Sequence, residues 1–161
     1  MPEQLTSPAR FELEDQDIEI GKSTREARVR WAMVIDHDLA PGVAANAASC
    51  MAAAVGERVP GIVGPGGVDA SGTNHPGLPW TGCTVLGADA ATVHRVRSAS
   101  LARDGVLVVD MPKKAAQARA YAAYLDVLAE SEPADIDYLG VSLVGPRTTI
   151  GKLVGRLPLL R

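Results

Sequence analysis

The chain has 161 residues, of which 47% are hydrophobic and 4% are aromatic, and its formal net charge is −3. This length and apolar content predict one ordered domain with a core of Ala, Val, Leu and Ile, and they argue against a disordered chain. No apolar run approaches the roughly 18 residues of a membrane span, and the first residues lack the apolar segment of a secretory signal. We therefore expect a cytoplasmic protein without a membrane partner.

Acidic residues are concentrated at the N-terminus. Residues 1–27 hold seven acidic and three basic side chains, and the rest of the chain is close to neutral. We expect a polar acidic arm over residues 1–27 and a single α/β domain over residues 28–161. A protein that clamps a polyanion usually shows a basic excess, so nucleic-acid binding is not expected.

Strands and helices alternate along the predicted domain. The run RVRWAMVID becomes continuously apolar, as in a strand buried on both faces. The predicted strands cover residues 28–36, 83–87, 106–110 and 138–145. The predicted helices follow them one by one: the first from Ala44 to Gly56, the second capped by Asp89 and running to about 102, a long one over about 113–131 and a last one over 147–157. This order predicts a three-layer α/β/α sandwich around a four-stranded mixed sheet.

The connector from Gly56 to Gly82 holds eight of the sixteen glycines and four of the eleven prolines. Most connections in compact domains run to about six residues, and a longer one is typically disordered or functional. Asp69 and His75 within it suit a hydrogen-bonded dyad, with Ser71 or Thr73 as nucleophile. The same residues equally suit a network that only braces the loop.

Two carboxylates follow predicted strands. Asp38 lies just after the first strand and Asp110 ends the third, and ligands gather at the carboxyl edge of open α/β sheets. Asp110 suits an acid–base role, and the alternative for both residues is that they cap the following helix or form the turn into it, with the cap favoured for Asp38. His and Asp alone are an incomplete ligand set, so neither a metal nor a cofactor is expected. Cys50 and Cys83 form no CxxC pattern and are expected in the core.

Three segments resemble the second, archaeal and eukaryotic type of peptidyl-tRNA hydrolase. They are Trp31–Ala54 (WAMVIDHDL…GVAANAASCMAAA), Gly105–Asp110 (GVLVVD) and Gly140–Leu160 (GVSLVGPRTTIGKLVGRLPLL). The resemblance implies the fold of that family and a catalytic role for Asp110. The family's lysine is missing before Ala44, and its glutamine is replaced by Asn46.

Other segments are similar to bacterial relatives grouped as domain of unknown function 2000. The shared patterns are VDASGTNHPG at Val68–Gly77, Ala-x-x-Tyr within Ala120–Tyr124, and the ending LPLLR. These relatives carry no assigned reaction. The resemblance therefore makes the glycine-rich loop the place where we expect this branch's own function.

We expect a hydrolase-like or small-ligand-binding protein, with its pocket at the carboxyl edge of the strands. The expected catalytic residues are Asp110, His75 and Asp69, and the expected ligand-binding residues are Asp38, Asn46, Thr73 and Gly72. A non-catalytic homodimer that uses the loop and the small-residue helix is the alternative. Hydrolysis of a peptidyl-tRNA or another aminoacyl or peptidyl ester comes third, because the lysine is absent.

Overall fold

The computed structural model describes residues 11–161. Its strands are β1 (Val29–Asp36), β2 (Gly67–Val68), β3 (Asn74–His75), β4 (Thr84–Ala88), β5 (Leu107–Pro112) and β6 (Tyr138–Pro146). Its α-helices are α1 (Pro41–Arg58), α2 (Ala90–Leu101), α3 (Lys113–Gln117), α4 (Tyr121–Ala129) and α5 (Arg147–Val154). Over these residues, every helix is too short or too polar to cross a bilayer.

Four strands form one mixed sheet in the order β4–β1–β6–β5. β1 pairs with β4 in parallel, whereas β6 runs antiparallel to both β1 and β5. The carboxyl ends of β1, β4 and β5 therefore lie at the same edge of the sheet. The expected mixed α/β fold with a four-stranded sheet is confirmed. β2 and β3 form a separate hairpin within the glycine-rich connector.

Alternate residues of β1 enter two different clusters of buried side chains. Trp31, Met33 and Ile35 belong to a cluster with Met51 and Val55 of α1. The residues between them, Ala32 and Val34, belong to a cluster that includes Val93 and Val96 of α2 and Ile150 and Val154 of α5. Because successive strand residues point to opposite faces, α1 lies on one face of the sheet and α2 and α5 lie on the other.

α1 is longer than expected at both ends. It begins at Pro41, which suits the first turn of a helix, and it runs through Gly56 to Arg58. Val55 and Val59 are fully buried on either side of Gly56. Burying these two side chains outweighs the roughly 1 kcal/mol cost of an interior glycine, so the helix does not end there.

The expected helix over about 113–131 is wrong. Two short helices, α3 and α4, are separated by extended backbone at Ala118 (ψ 137°) and Ala120 (φ −134°, ψ 140°). Ala115 of α3 packs against the α1-side cluster, whereas Leu128 of α4 packs against the cluster on the opposite face. Because β5 is an edge strand, the chain passes around it between these contacts. A straight helix cannot reach both faces.

Residues 11–27 of the expected acidic arm lie against the domain. Phe11 and Leu13 pack on the α1-side cluster, and Ala27 is buried. The Arg147 guanidinium donates hydrogen bonds to the backbone carbonyls of Ala27 and Thr24. Residues 1–10 of the arm lie outside the described residues.

Candidate functional site

A cavity of about 320 Å³ opens beside the edge strand β5. Its apolar wall comes from α1, β5 and the turn between α3 and α4: Met51, Ala54, Val109, Met111, Pro112, Ala115, Ala118 and Ala120. Its polar and aromatic lining residues are Cys50, Asp110, Arg119, Tyr121 and Tyr124. An apolar cavity with a few converging polar groups is typical of small-molecule sites. We call it the Asp110 cavity.

Asp110 is held by an arginine from a different element. The Arg97 Nε of α2 donates to Asp110 Oδ2 at 2.6 Å, and the two side chains are only 21% and 25% exposed. The Arg97 Cζ lies 4.3 Å from the centroid of the Tyr138 ring, within cation–π range. The capping alternative is wrong for Asp110, because Pro112 occupies the N-cap position of α3.

Two tyrosines, Tyr124 and Tyr138, lie near this ion pair. Burial, followed by the charge of Asp110, raises the pKa of Tyr124. Burial also raises the pKa of Tyr138, against the opposing charge of Arg97 and with a further contribution from Asp110. Both hydroxyls therefore remain protonated at neutral pH, and Tyr124 lines the Asp110 cavity.

Asp69 organises the β2–β3 hairpin. Its Oδ1 accepts hydrogen bonds from Ser71 N (2.7 Å), Ser71 Oγ (2.6 Å) and Thr73 N (3.1 Å), and its Oδ2 lies 3.1 Å from His75 Nε2. The expected Asp69–His75 contact is therefore present. Neither the Ser71 nor the Thr73 hydroxyl bonds to His75 within residues 11–161, and a nucleophile needs such a contact with its base. The geometry is that of a braced turn.

Glycines make the hairpin compact. Gly72 has φ +85°, a left-handed conformation that favours glycine. A Cβ atom on Gly77 would lie 1.8 Å from the carbonyl oxygen of Gly64, and one on Gly66 would lie 2.5 Å from that of His75. The connector is dense in glycine because its backbone segments touch one another.

The expected site residues do not form one site. A shallow hollow at the hairpin, which His75 lines, shares no residue with the Asp110 cavity. Asn46 lies on an exposed part of α1, where its Oδ1 accepts from Cys50 Sγ at 3.8 Å, one turn from the cavity. Asp38 has a side chain that is 85% exposed. It does not cap α1, because Ala40 is the N-cap, but it lies in the turn that leads into this helix, where its amide donates to Asp36 Oδ1 at 3.0 Å.

Both cysteines lie outside the core, contrary to expectation. Cys50 and Cys83 are exposed, and Cys50 lines the Asp110 cavity. Desolvation raises the pKa of the Cys83 thiol to about 12, although a hydrogen bond from the Met33 backbone opposes the shift. Within residues 11–161, no group of three or more His, Cys, Asp and Glu side chains is arranged to hold a metal ion.

A family model described as "Protein of unknown function (DUF2000)" matches residues 29–161. The chain belongs to the DUF2000 family. Its fold is similar to that of a solved structure, the protein of unknown function Atu0240 from Agrobacterium tumefaciens strain C58, with a TM-score of 0.76 and 19% sequence identity. The similarity covers 82% of this chain and 97% of the other, and at this identity it shows the fold alone. No curated protein matches the chain.

Three residues of the site in this DUF2000 member were not predicted from the sequence. Arg97 binds Asp110, and Arg119 and Tyr124 line the same cavity as Asp110. A signal existed for Arg97. It lies four residues after the buried Val93 and directly after the buried Val96, so it flanks the apolar stripe of α2. A cation in that position needs a partner, and the sheet supplies one. Arg119 and Tyr124 carried no such signal, because their placement depends on the break between α3 and α4.

The Asp69 network makes the hairpin sensitive to acid. Hydrogen bonds from the Ser71 side chain, His75 and the backbone of Ser71 and Thr73 hold the pKa of Asp69 well below its usual range. The folded-state pKa is depressed, so the stabilisation is complete above about pH 4, the ordinary aspartate value, and declines as the pH falls further. We expect the amide resonances of Ser71 and Thr73 to keep their shifts through about pH 4 and to move only at lower pH. A midpoint at the ordinary value, or unchanged shifts in Asp69→Asn, would contradict the network.

Proposed function

We propose that this protein binds a small, largely apolar ligand in the Asp110 cavity. The observation that carries the proposal is that one cavity joins an apolar wall to Asp110, Tyr124 and Arg119. Asp110 Oδ2 is engaged by Arg97, whereas Oδ1 has no hydrogen bond within residues 11–161. Oδ1 is therefore free to accept a hydrogen bond from a ligand or a water molecule, and the Tyr124 hydroxyl is a nearby donor.

A hydrolytic role would use the same atoms. Asp110 would orient a water molecule through Oδ1, and the resemblance to the second type of peptidyl-tRNA hydrolase favours an ester of an aminoacyl or peptidyl group. As part of this proposal, the fold is a three-layer α/β/α sandwich of that type. The cation that would stabilise the oxyanion is Arg119, since the family's lysine is absent. Without the family's lysine, a donor that typically contributes about 3–4 kcal/mol to transition-state stabilisation is lost from its usual place. We therefore favour ligand binding over hydrolysis.

Cys50 offers a direct measurement of cavity occupancy. Its thiol is exposed at the cavity wall, whereas the raised pKa of Cys83 keeps that thiol protonated. Thiolates are the reactive species, so we expect iodoacetamide to modify Cys50 well before Cys83 at neutral pH. Peptide mass spectrometry measures the two rates. Preferential modification of Cys83 would contradict this assignment.

Ligands come from a fragment screen by ligand-observed NMR. A fragment that occupies the cavity is expected to slow Cys50 labelling in proportion to occupancy and to leave Cys83 unchanged. Asp110→Asn and Tyr124→Phe should weaken its binding about tenfold, the loss of one good hydrogen bond. Asp126→Asn, which removes an exposed acid of α4 outside the cavity, is the matched control. If the fragments bound all three variants as tightly as the wild type and did not slow Cys50 labelling, the site would be refuted.

A homodimer is the second candidate, favoured by the surface of α4. Tyr121 and Leu125 lie four residues apart on this helix and are 75% and 47% exposed, and no residue of the helix is buried. An apolar helical stripe of this kind marks an interaction surface. We propose that the contact runs through α4, next to the open edge of β5.

Sedimentation equilibrium tests this contact. Leu125→Glu is expected to convert a dimer into a monomer, because it buries a charge in an apolar interface. Leu78→Glu makes the same change in the glycine-rich connector, where the side chain is 77% exposed. Dissociation by Leu78→Glu alone would move the interface to the connector, and a monomeric wild-type protein would remove the candidate.

A further inference from the structure

A second concave surface, on the side of the sheet away from α1, carries positive charge. It lies between α2 and the end of α5 and encloses about 650 Å³. Thr92 and Arg95 line it from α2, and Lys152 and Arg156 line it from α5 and the turn that follows. None of its lining residues is acidic. We call it the α2–α5 groove.

The cations of the groove form no close ion pair, although the charge of Arg95 contributes to lowering the pKa of Asp89, the N-cap residue of α2. Arg95 Nη2 donates to Thr92 Oγ1 at 3.2 Å, which directs this guanidinium back along α2. Within residues 11–161, Arg95, Lys152 and Arg156 form no salt bridge. Lys152 lies in the last turn of α5 and Arg156 in the turn that follows, so both cations stand at the same end of this helix.

The end of α5 accounts for only part of this charge. The exposed carbonyls at a helix C-terminus carry a partial charge of about −0.5 and favour nearby cations. That charge suits Lys152, which lies in the last turn. The three full positive charges of Arg95, Lys152 and Arg156 exceed this partial negative charge several-fold.

We propose that the α2–α5 groove binds a compact, multiply charged phosphate ligand, with pyrophosphate as the smallest example. Three cations provide donors from α2, from α5 and from the turn after it, which suits several phosphate oxygens at once. No aromatic side chain lines the groove, and stacking on aromatics is how proteins hold nucleobases. The chain after residue 27 is near neutral, so a compact anion suits this local group of cations better than an extended polyanion does.

Isothermal titration calorimetry of the full chain with pyrophosphate tests the groove at low salt. We expect saturable binding that weakens at about 0.3 M NaCl, where exposed charges are screened. Lys152→Gln/Arg156→Gln should weaken it at least tenfold, because two of the three cations are lost. Arg103→Gln/Lys113→Gln is the matched control: it changes the net charge equally at two exposed cations outside the groove and should bind like wild type.

Three results would overturn the proposal. The first is no binding of pyrophosphate to the wild-type protein. The second is equal weakening in the control, which would show an effect of net charge alone. The third is much tighter binding of a short single-stranded oligonucleotide that the groove variant abolishes, since the ligand would then be a nucleic-acid backbone. A thermal melt without ligand checks that Lys152→Gln/Arg156→Gln is folded.

Discussion

Arg97→Leu is expected to lower the free energy of unfolding by about 2 kcal/mol, the contribution of a charge-assisted hydrogen bond in a partly buried setting. The substitution leaves Asp110 without its cation in a position that is 25% exposed, and it removes the cation–π contact with Tyr138. Urea unfolding monitored by circular dichroism gives the difference.

Two further variants isolate the ion pair. Arg95→Leu changes an exposed arginine two positions earlier on α2 and is expected to cost less than about 0.5 kcal/mol. Arg97→Leu/Asp110→Leu should recover part of the loss, because it removes the unpaired charge together with its partner. Equal losses in Arg95→Leu and Arg97→Leu, or strictly additive losses in the double variant, would show that the pair contributes nothing.

Gly77→Ala is expected to open the base of the β2–β3 hairpin. The new Cβ atom would lie 1.8 Å from the Gly64 carbonyl oxygen. The backbone fixes the position of both atoms, so no side-chain rotation relieves the clash. Overpacking of this kind typically costs about 1–3 kcal/mol. Native-state hydrogen exchange reports it directly, through the Gly64 amide that donates to the Leu78 carbonyl at 2.9 Å.

Gly67→Ala is the matched control for this substitution. Gly67 lies in the same hairpin, its φ is not left-handed, and a Cβ atom there meets nothing within 4 Å. We expect the exchange rate of the Gly64 amide to be unchanged. If Gly67→Ala and Gly77→Ala accelerated it equally, the approach of the two backbone segments would not be the reason for the glycine.

The strands and α2 were predictable because their signals are local. β1 was expected over 28–36 and is found at Val29–Asp36, since an uninterrupted apolar run identifies a strand buried on both faces. Asp89 was expected to cap α2, and its Oδ1 accepts from Thr92 N at 2.7 Å. Both depend on residues within a few positions of one another.

The candidate site was predicted only in pieces. Asp110 and the Asp69–His75 contact were both expected, but the structure places them in separate regions of the surface. Asp110 owes its environment to Arg97, thirteen residues earlier, and to Tyr124, fourteen later in the sequence. The contact between Asp69 and His75 spans six residues of one loop, so it could be read without the fold.

The amino-acid sequence by itself determined the alternation of strands and helices, the family, and the glycine-rich connector with its Asp69–His75 contact. The tertiary structure alone decided that β6 lies between β1 and β5, that the 113–131 segment breaks at Ala118–Ala120, and that a cavity forms beside Asp110. The physical reason is the range of the interactions. Hydrophobic periodicity, capping and turn chemistry act over a few residues, whereas the break in the helix follows from packing two faces of a sheet around its edge strand.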